Sequence, residues 1–258
     1  METHSYVLVY DSGIGGLTTL ASCALKVKNA KFLYYADIQN LPYGNKSINV
    51  LQNLILSNIK DIQSRYNISH IILACNTATT SSIEYLRNKI NIPIIGTEPN
   101  IKEPIIKGYD NITLLATPLT ITQKKLLNLE NQLNIKPKHI SSKLLAKTIE
   151  NYKLTGDKKY LKIALKLSSK ALLKTPKNSA VVLGCTHYVF IKKQIEKMGY
   201  KCYDGNMGVS LRFKSLYISQ SINYISPRIK FYGLDKITQI KYKKIFLNYY
   251  NQLKKEQS

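Results

Sequence analysis

The sequence predicts an α/β protein made of two pseudo-symmetric parallel-sheet domains, with its reactive site in the cleft between them. Three observations lead there. Ile71-Ile72-Leu73-Ala74-Cys75-Asn76-Thr77 and Val181-Val182-Leu183-Gly184-Cys185-Thr186-His187 share one pattern: an apolar run, a small residue, a cysteine, then polar groups. Continuous apolar runs of this length are how strands buried on both faces read, and parallel sheets present functional side chains at their strands' carboxyl ends. Segments with helical spacing separate the runs, which is the alternation of an α/β fold. The order strand-turn-helix, then strand-Cys-helix, occurs once between Asp11 and Cys75 and again, over a similar separation, between Thr117 and Cys185. That repetition reads as an internal duplication with a cleft between the copies. A single such cysteine is ordinarily a core residue. Two delivered in the same way point to two thiols facing one substrate.

Tyr6–Tyr10 predicts the first strand, which runs into Asp11-Ser12-Gly13-Ile14-Gly15-Gly16 and a helix over Leu17–Val27. A strand, a glycine-rich turn and a helix can present backbone N–H groups to an anion. The turn lacks the GxGxxG dinucleotide fingerprint. Lys31–Ala36 is the second strand, followed by the loop Asp37–Lys46 with Pro42-Tyr43-Gly44, which by itself reads as a turn. Ile48–Arg65 is an amphipathic helix, Ile68–Ala74 the third strand, Thr79–Ile90 a helix and Ile92–Gly96 the fourth strand, with a further helix beyond Thr97-Glu98-Pro99. In the second half Asn111–Ala116 is a strand reaching Thr117, with a helix to about Leu133. Lys143–Tyr152 and Lys158–Lys174 are helical by spacing, Ser179–Gly184 is a strand, Tyr188–Met198 a helix and Tyr200–Tyr203 a strand. A helix from about Met207, a strand over Arg228–Tyr232 and a helix over Ile237–Leu253 then return to complete the first domain. The expected domains are 1–97 with 207–258, and 98–206. The lysines between Lys236 and Lys255 read most simply as a solvated helix face.

Composition narrows the class. Hydrophobic residues make up 44% of the chain, which is ordinary for a globular protein. No apolar run approaches the roughly 18–20 residues of a membrane span, and Met1-Glu2-Thr3-His4 does not open a signal peptide. No membrane partner is expected. The four cysteines show no C-x-x-C spacing, so free thiols in a cytoplasmic protein fit, and no metal site is expected. The net charge of +23 attracts anions, and nucleic acid stays open as a partner. The lysines are spread along the whole chain with many Asn, Ile and Tyr, however, and coding bias accounts for that more simply than a recognition patch.

Four motifs, DSGIGG at Asp11–Gly16, PYG at Pro42–Gly44, ACNT at Ala74–Thr77 and GCTHY at Gly184–Tyr188, occur in the order and rough spacing of glutamate racemase, within the aspartate/glutamate racemase superfamily. The resemblance covers nearly the whole chain. It implies two α/β domains and a cofactor-independent racemase that holds glutamate between two cysteines, supplying D-glutamate for bacterial peptidoglycan. Carried over position by position, Cys75 and Cys185 resemble the acid/base pair, with Asp11 and His187 as their polar partners. Ser12, Pro42, Tyr43, Gly44, Asn76, Thr77, Thr117, Thr186 and His187, together with Asp11, resemble the substrate-holding groups. Glu150 falls where the family has a carboxylate near the second cysteine. The resemblance further implies that Cys75 serves the D-isomer and Cys185 the L-isomer. The chain departs from the family's pattern at Lys143–Ile149, which lacks a proline-containing run, at Val189, where proline is usual, and at Asp204-Gly205-Asn206.

The chemistry agrees with those residue types. Inverting an α-carbon needs a base on one face and an acid on the other, and two thiols serve if one starts as thiolate. An ordinary cysteine, with a pKa near 8.5, needs help to ionise, and each cysteine here stands where a strand gives way to a helix. Asp11 or His187 can relay the proton. The bland alternatives are helix caps: His187 on the following helix, and Asp11 at the first turn. Other readings are a racemase of aspartate or another small carboxylate, a basic nucleic-acid-binding protein on the same scaffold, and an inactive paralogue, which the intact cysteines oppose. A homodimer is left open.

Overall fold

In the computed structural model, residues 5–217 and 227–257 are described. Strands β1 (Tyr6–Asp11), β2 (Lys31–Ala36), β3 (Ile68–Leu73), β4 (Ile94–Gly96) and β9 (Arg228–Tyr232) form one sheet in the order β4-β3-β1-β2-β9. Strands β5 (Ile112–Ala116), β6 (Lys138–Ser141), β7 (Ala180–Gly184) and β8 (Lys201–Tyr203) form the second, in the order β6-β5-β7-β8. Every pairing is parallel. With β5 laid on β1, the order β8-β7-β5-β6 repeats β4-β3-β1-β2 strand for strand. β9 is the addition, joined to β2 at the edge.

Strand alternation sets the layers. Val7 and Val9 of β1 face one core with Leu17, Leu20, Ala21 and Ala24 of the helix Leu17–Lys26. Leu8 and Tyr10 face the other, with Leu51, Ile55, Ile59 and Ile62 of the helix Ile48–Arg65. The spacing of those four residues is the apolar stripe that made this helix legible. The helices Asn206–Leu216 and Lys236–Gln257 return to the first core through Phe213, Tyr242 and Phe246. The second sheet is likewise covered on both faces.

Four local readings are corrected. The helix expected from Thr79 begins at Asn76, directly after Cys75. Asn and Thr are poor helix formers in the interior, which hides this start in the sequence; Thr80 Oγ1 and Ser81 Oγ satisfy their buried hydroxyls by donating to the carbonyls of Asn76 and Thr77 at 3.0 and 2.7 Å. The segment after Thr117 is two helices, Pro118–Ile121 and Lys124–Gln132. The Thr117 side chain accepts from Thr120 N–H and caps the first. Strand β6, Lys-His-Ile-Ser, was not expected, because a half-exposed edge strand has no apolar run. Its place in the duplication, matching β2, was the available signal. The helix expected over Tyr188–Met198 is a 3₁₀ segment, Thr186–Ile191, followed by the short helix Lys192–Glu196. Thr186, His187, Tyr188, Val189 and Ile191 are all buried, so there is no exposed side for a 3.6-residue pattern to register. His187 therefore lies inside a 3₁₀ turn and does not cap a helix.

Candidate active site

The carboxyl ends of β1 and β3 bring in Asp11–Gly16 and Cys75–Thr77, and those of β5 and β7 bring in Thr117 and Cys185–His187. Direct bonds join the two sets. Thr186 Oγ1 donates to Asp11 Oδ2 at 3.1 Å, and Thr77 Oγ1 lies 2.9 Å from Thr117 Oγ1 and 3.1 Å from Thr120 Oγ1. Close approach accounts for the glycines of the first turn. A Cβ on Gly15 would lie 2.8 Å from the backbone nitrogen of His187, and one on Gly13 would lie 2.6 Å from Glu150 Oε2. Gly44 packs against Thr117 in the same way, with 2.7 Å from its would-be Cβ to the Thr117 Cβ.

Around the second cysteine, His187 Nδ1 lies 3.8 Å from Cys185 Sγ, and His187 Nε2 lies 2.7 Å from Glu150 Oε2. Ile14 N–H also donates to Glu150 Oε2, at 3.0 Å, and Tyr242 Oη donates to Oε1 at 3.4 Å. Burial alone would lower the His187 pKa. Its bonds to Cys185 and Glu150 outweigh burial and hold it well above the ordinary imidazole value. The resulting charge pair contributes stability in full below the ordinary imidazole pKa, and that contribution is lost as pH rises through the raised value.

Around the first cysteine, Ser12 Oγ lies 3.9 Å from Cys75 Sγ. Burial pushes the Cys75 thiol up to about 12. The Asp11 carboxylate adds to this, Ala78 N–H at the helix start opposes it, and the charge of Cys185 also reaches it. Cys75 is thus held as a thiol at neutral pH. Asp11 accepts from Gly13 N–H at 2.8 Å and feels His187 and Glu150, yet burial dominates and raises its carboxyl from 3.8 to about 6. Each of these groups lies within electrostatic reach of another, so the two cysteines, Asp11, His187 and Glu150 form one connected set.

Tyr43, Gly44 and Pro42 sit in the loop after β2. Tyr43 Oη donates to Asp37 Oδ2 at 2.6 Å and lies 2.7 Å from Tyr10 Oη, while Asn58 Nδ2 donates to Tyr10 Oη at 2.9 Å. Asn76 Oδ1 is buried and has no hydrogen-bond partner in the protein, so it can accept from a bound group. Sequence reasoning missed Asp37, Tyr10 and Asn58 behind Tyr43, Tyr34, whose Oη donates to Gly13 O at 2.6 Å, and Tyr242 behind Glu150. All are strand or helix residues whose local pattern is that of core positions, save Asp37 at the end of β2, and no sequence signal marks them. The other two cysteines, Cys23 and Cys202, fit the bland reading and lie in hydrophobic cores, where burial raises both thiols.

A stability test follows from Asp11. Its raised pKa means the folded protein holds this proton more tightly than the unfolded chain, so its contribution to stability falls as pH rises from about 4 to about 6. At pH 7 the ionised carboxylate costs about 3 kcal/mol. Asp11→Asn is expected to raise unfolding free energy in urea by up to about that amount at pH 7, to lose the gain near pH 4, and to impair activity. A gain independent of pH would show that burial of the charge is not its origin.

No protein-family model matches the chain. A glutamate racemase of Leptospira borgpetersenii is 37% identical over 221 residues, covering 83% of this chain and 83% of that protein. The crystal structure of Escherichia coli glutamate racemase in complex with L-glutamate and activator UDP-MurNAc-ala superposes with a TM-score of 0.79 at 23% identity, covering 95% of each chain. That of the Francisella tularensis enzyme in complex with D-glutamate gives 0.76 at 26% identity, covering 95% of this chain and 94% of that one.

Proposed function

Because the chain belongs to the glutamate racemase family, a family of isomerases, we propose that it interconverts L- and D-glutamate by a two-cysteine acid/base mechanism. The observation that carries this reading is the asymmetry of the two thiols. Both are buried, but Asp11 adds to burial in holding Cys75 protonated, whereas Cys185 Sγ lies 3.8 Å from Nδ1 of an imidazole that keeps its charge. In the L-to-D direction Cys185 acts as the thiolate that takes the α-proton, and Cys75 gives its proton to the opposite face. The sulfur–hydrogen bond formed on Cys185 balances the one broken on Cys75. His187, oriented by Glu150, stabilises the charge at Cys185 while the thiolate is present. In the reverse direction Cys75 must first be deprotonated, with Asp11 near enough to influence it and Ser12 next to its sulfur.

Asn76 Oδ1 accepts from the substrate ammonium, the hydroxyls of Thr77 and Thr117 with backbone N–H groups of the glycine turn donate to its carboxylates, and Thr186, whose proton goes to Asp11, lines the site as an acceptor. Tyr43 is held in place by Asp37 and Tyr10. The two sheets support the domain division 1–97 with 207–258, and 98–206, since β9 extends the first sheet. The product D-glutamate would serve peptidoglycan synthesis.

The test is loss of optical activity from L-glutamate with purified protein and no added pyridoxal phosphate or metal. Racemisation is expected to persist after treatment with a chelator. Activity restored only by a metal would count against thiol chemistry, and turnover of L-aspartate but not L-glutamate would reassign the substrate.

A further inference from the structure

The helix Lys236–Gln257 buries one side and exposes another of distinct chemistry. Tyr242, Ile245 and Phe246 pack into the first core. Ile237 and Ile240, each 69% exposed, and Leu247, 43% exposed, point outward. Residues 236, 240, 243, 244 and 247 fall on one side at helical spacing, so these aliphatic groups stand among Lys236, Lys243 and Lys244. From Lys236 to Lys255 the chain holds lysines at 236, 241, 243, 244, 254 and 255 and no Asp or Glu. The acids at either end are engaged locally: Asp235 accepts from Thr238 N–H at 3.0 Å, and Glu256 pairs with Lys193 at 2.9 Å. Alongside runs a groove of about 980 Å³ between the helix and the edge strand β9, lined by Ile229, Phe231, Leu247 and Tyr250.

Single exposed aliphatic side chains beside lysines also occur elsewhere on the surface, such as Ile163, but here three of them share one helix with the lysines, and that helix borders an apolar groove. A second copy of the chain would set lysines against lysines. Nucleic acid would reward the cations, but protruding isoleucines neither stack on bases nor donate to phosphate. A bilayer surface with acidic headgroups rewards both, taking lysines among the headgroups and aliphatic groups at the acyl boundary. We propose that this face docks the protein on the surface of bilayers that contain acidic lipids. The helix lies on the membrane and does not cross it, and no helix of the described residues is long and apolar enough to do so. This docking is independent of the racemase site.

The experiment is cosedimentation of the full-length protein with vesicles of mixed phosphatidylglycerol and phosphatidylcholine, and with vesicles of phosphatidylcholine alone. Binding is expected to the first and not the second, weakening as salt rises. The variant Ile237→Ser, Ile240→Ser, Leu247→Ser is expected to lower the partition coefficient at least about tenfold with racemase activity in solution unchanged. Three outcomes would overturn the proposal. One is no binding to acidic vesicles at low salt. The second is equal binding by the variant, which would assign the attraction to the diffuse positive charge. The third is a variant that loses only self-association or DNA binding.

Discussion

Cys185→Ala and Cys75→Ala are each expected to lower racemisation in both directions by about 10³-fold or more, the range for removing a positioned acid or base. In the proposed two-cysteine mechanism inversion uses both groups in every turnover, so neither direction would be spared. Both residues are 7% exposed, and losing one sulfur should leave the fold intact, which circular dichroism would check. The isotope pattern separates two bases from one. In deuterated water the newly formed enantiomer should carry solvent deuterium at its α-carbon, while the unreacted enantiomer stays largely protiated early in the reaction. One base serving both faces would return some original hydrogen to the product. If either variant kept near-normal turnover in both directions, the surviving cysteine would have to act with another acid, such as His187 or Asp11.

Gly15→Ala is expected to lower kcat/KM by about 10²-fold or more, although Gly15 itself carries no chemistry. The added carbon would stand 2.7 Å from His187 Nδ1 and 2.8 Å from His187 backbone nitrogen. The ring could turn away only by leaving Glu150 or Cys185, and the backbone could retreat only by moving the 3₁₀ segment that carries Thr186. Either way the two halves of the site separate. Gly208→Ala is the control. It sits in the helix Asn206–Leu216 with nothing within 4 Å of its would-be Cβ, and should be neutral or stabilising by up to about 1 kcal/mol. Comparable losses in the two variants would mean that contact between the halves is not what Gly15 protects.

The alternation of strands and helices and the places of Cys75 and Cys185 just past strand ends were legible because they rest on short-range patterns: apolar runs, a cysteine after each strand and amphipathic spacing on Ile48–Arg65. The resemblance singled out residues of the four motifs and Glu150, and among them the structure brings Asp11, Thr186, His187 and Glu150 close in space, with Thr186 bonded to Asp11 and His187 to Glu150. Edge strand β6 and the 3₁₀ turn after Cys185 were not, because one is too polar and the other too buried to show a period.

By itself the sequence determined which side chains stand at the ends of the buried strands, since local hydrophobic pattern dictates where a strand stops and which residues its end presents. Tertiary structure alone decided how those side chains behave. Cys75 and Cys185 have near-identical sequence settings, yet one is held as a thiol by burial and by Asp11, and the other faces a charged imidazole. That difference arises from residues distant along the chain. Glu150 and Tyr242 reach the site from separate helices, and burial and Coulomb interaction depend on distance in space rather than on separation in sequence.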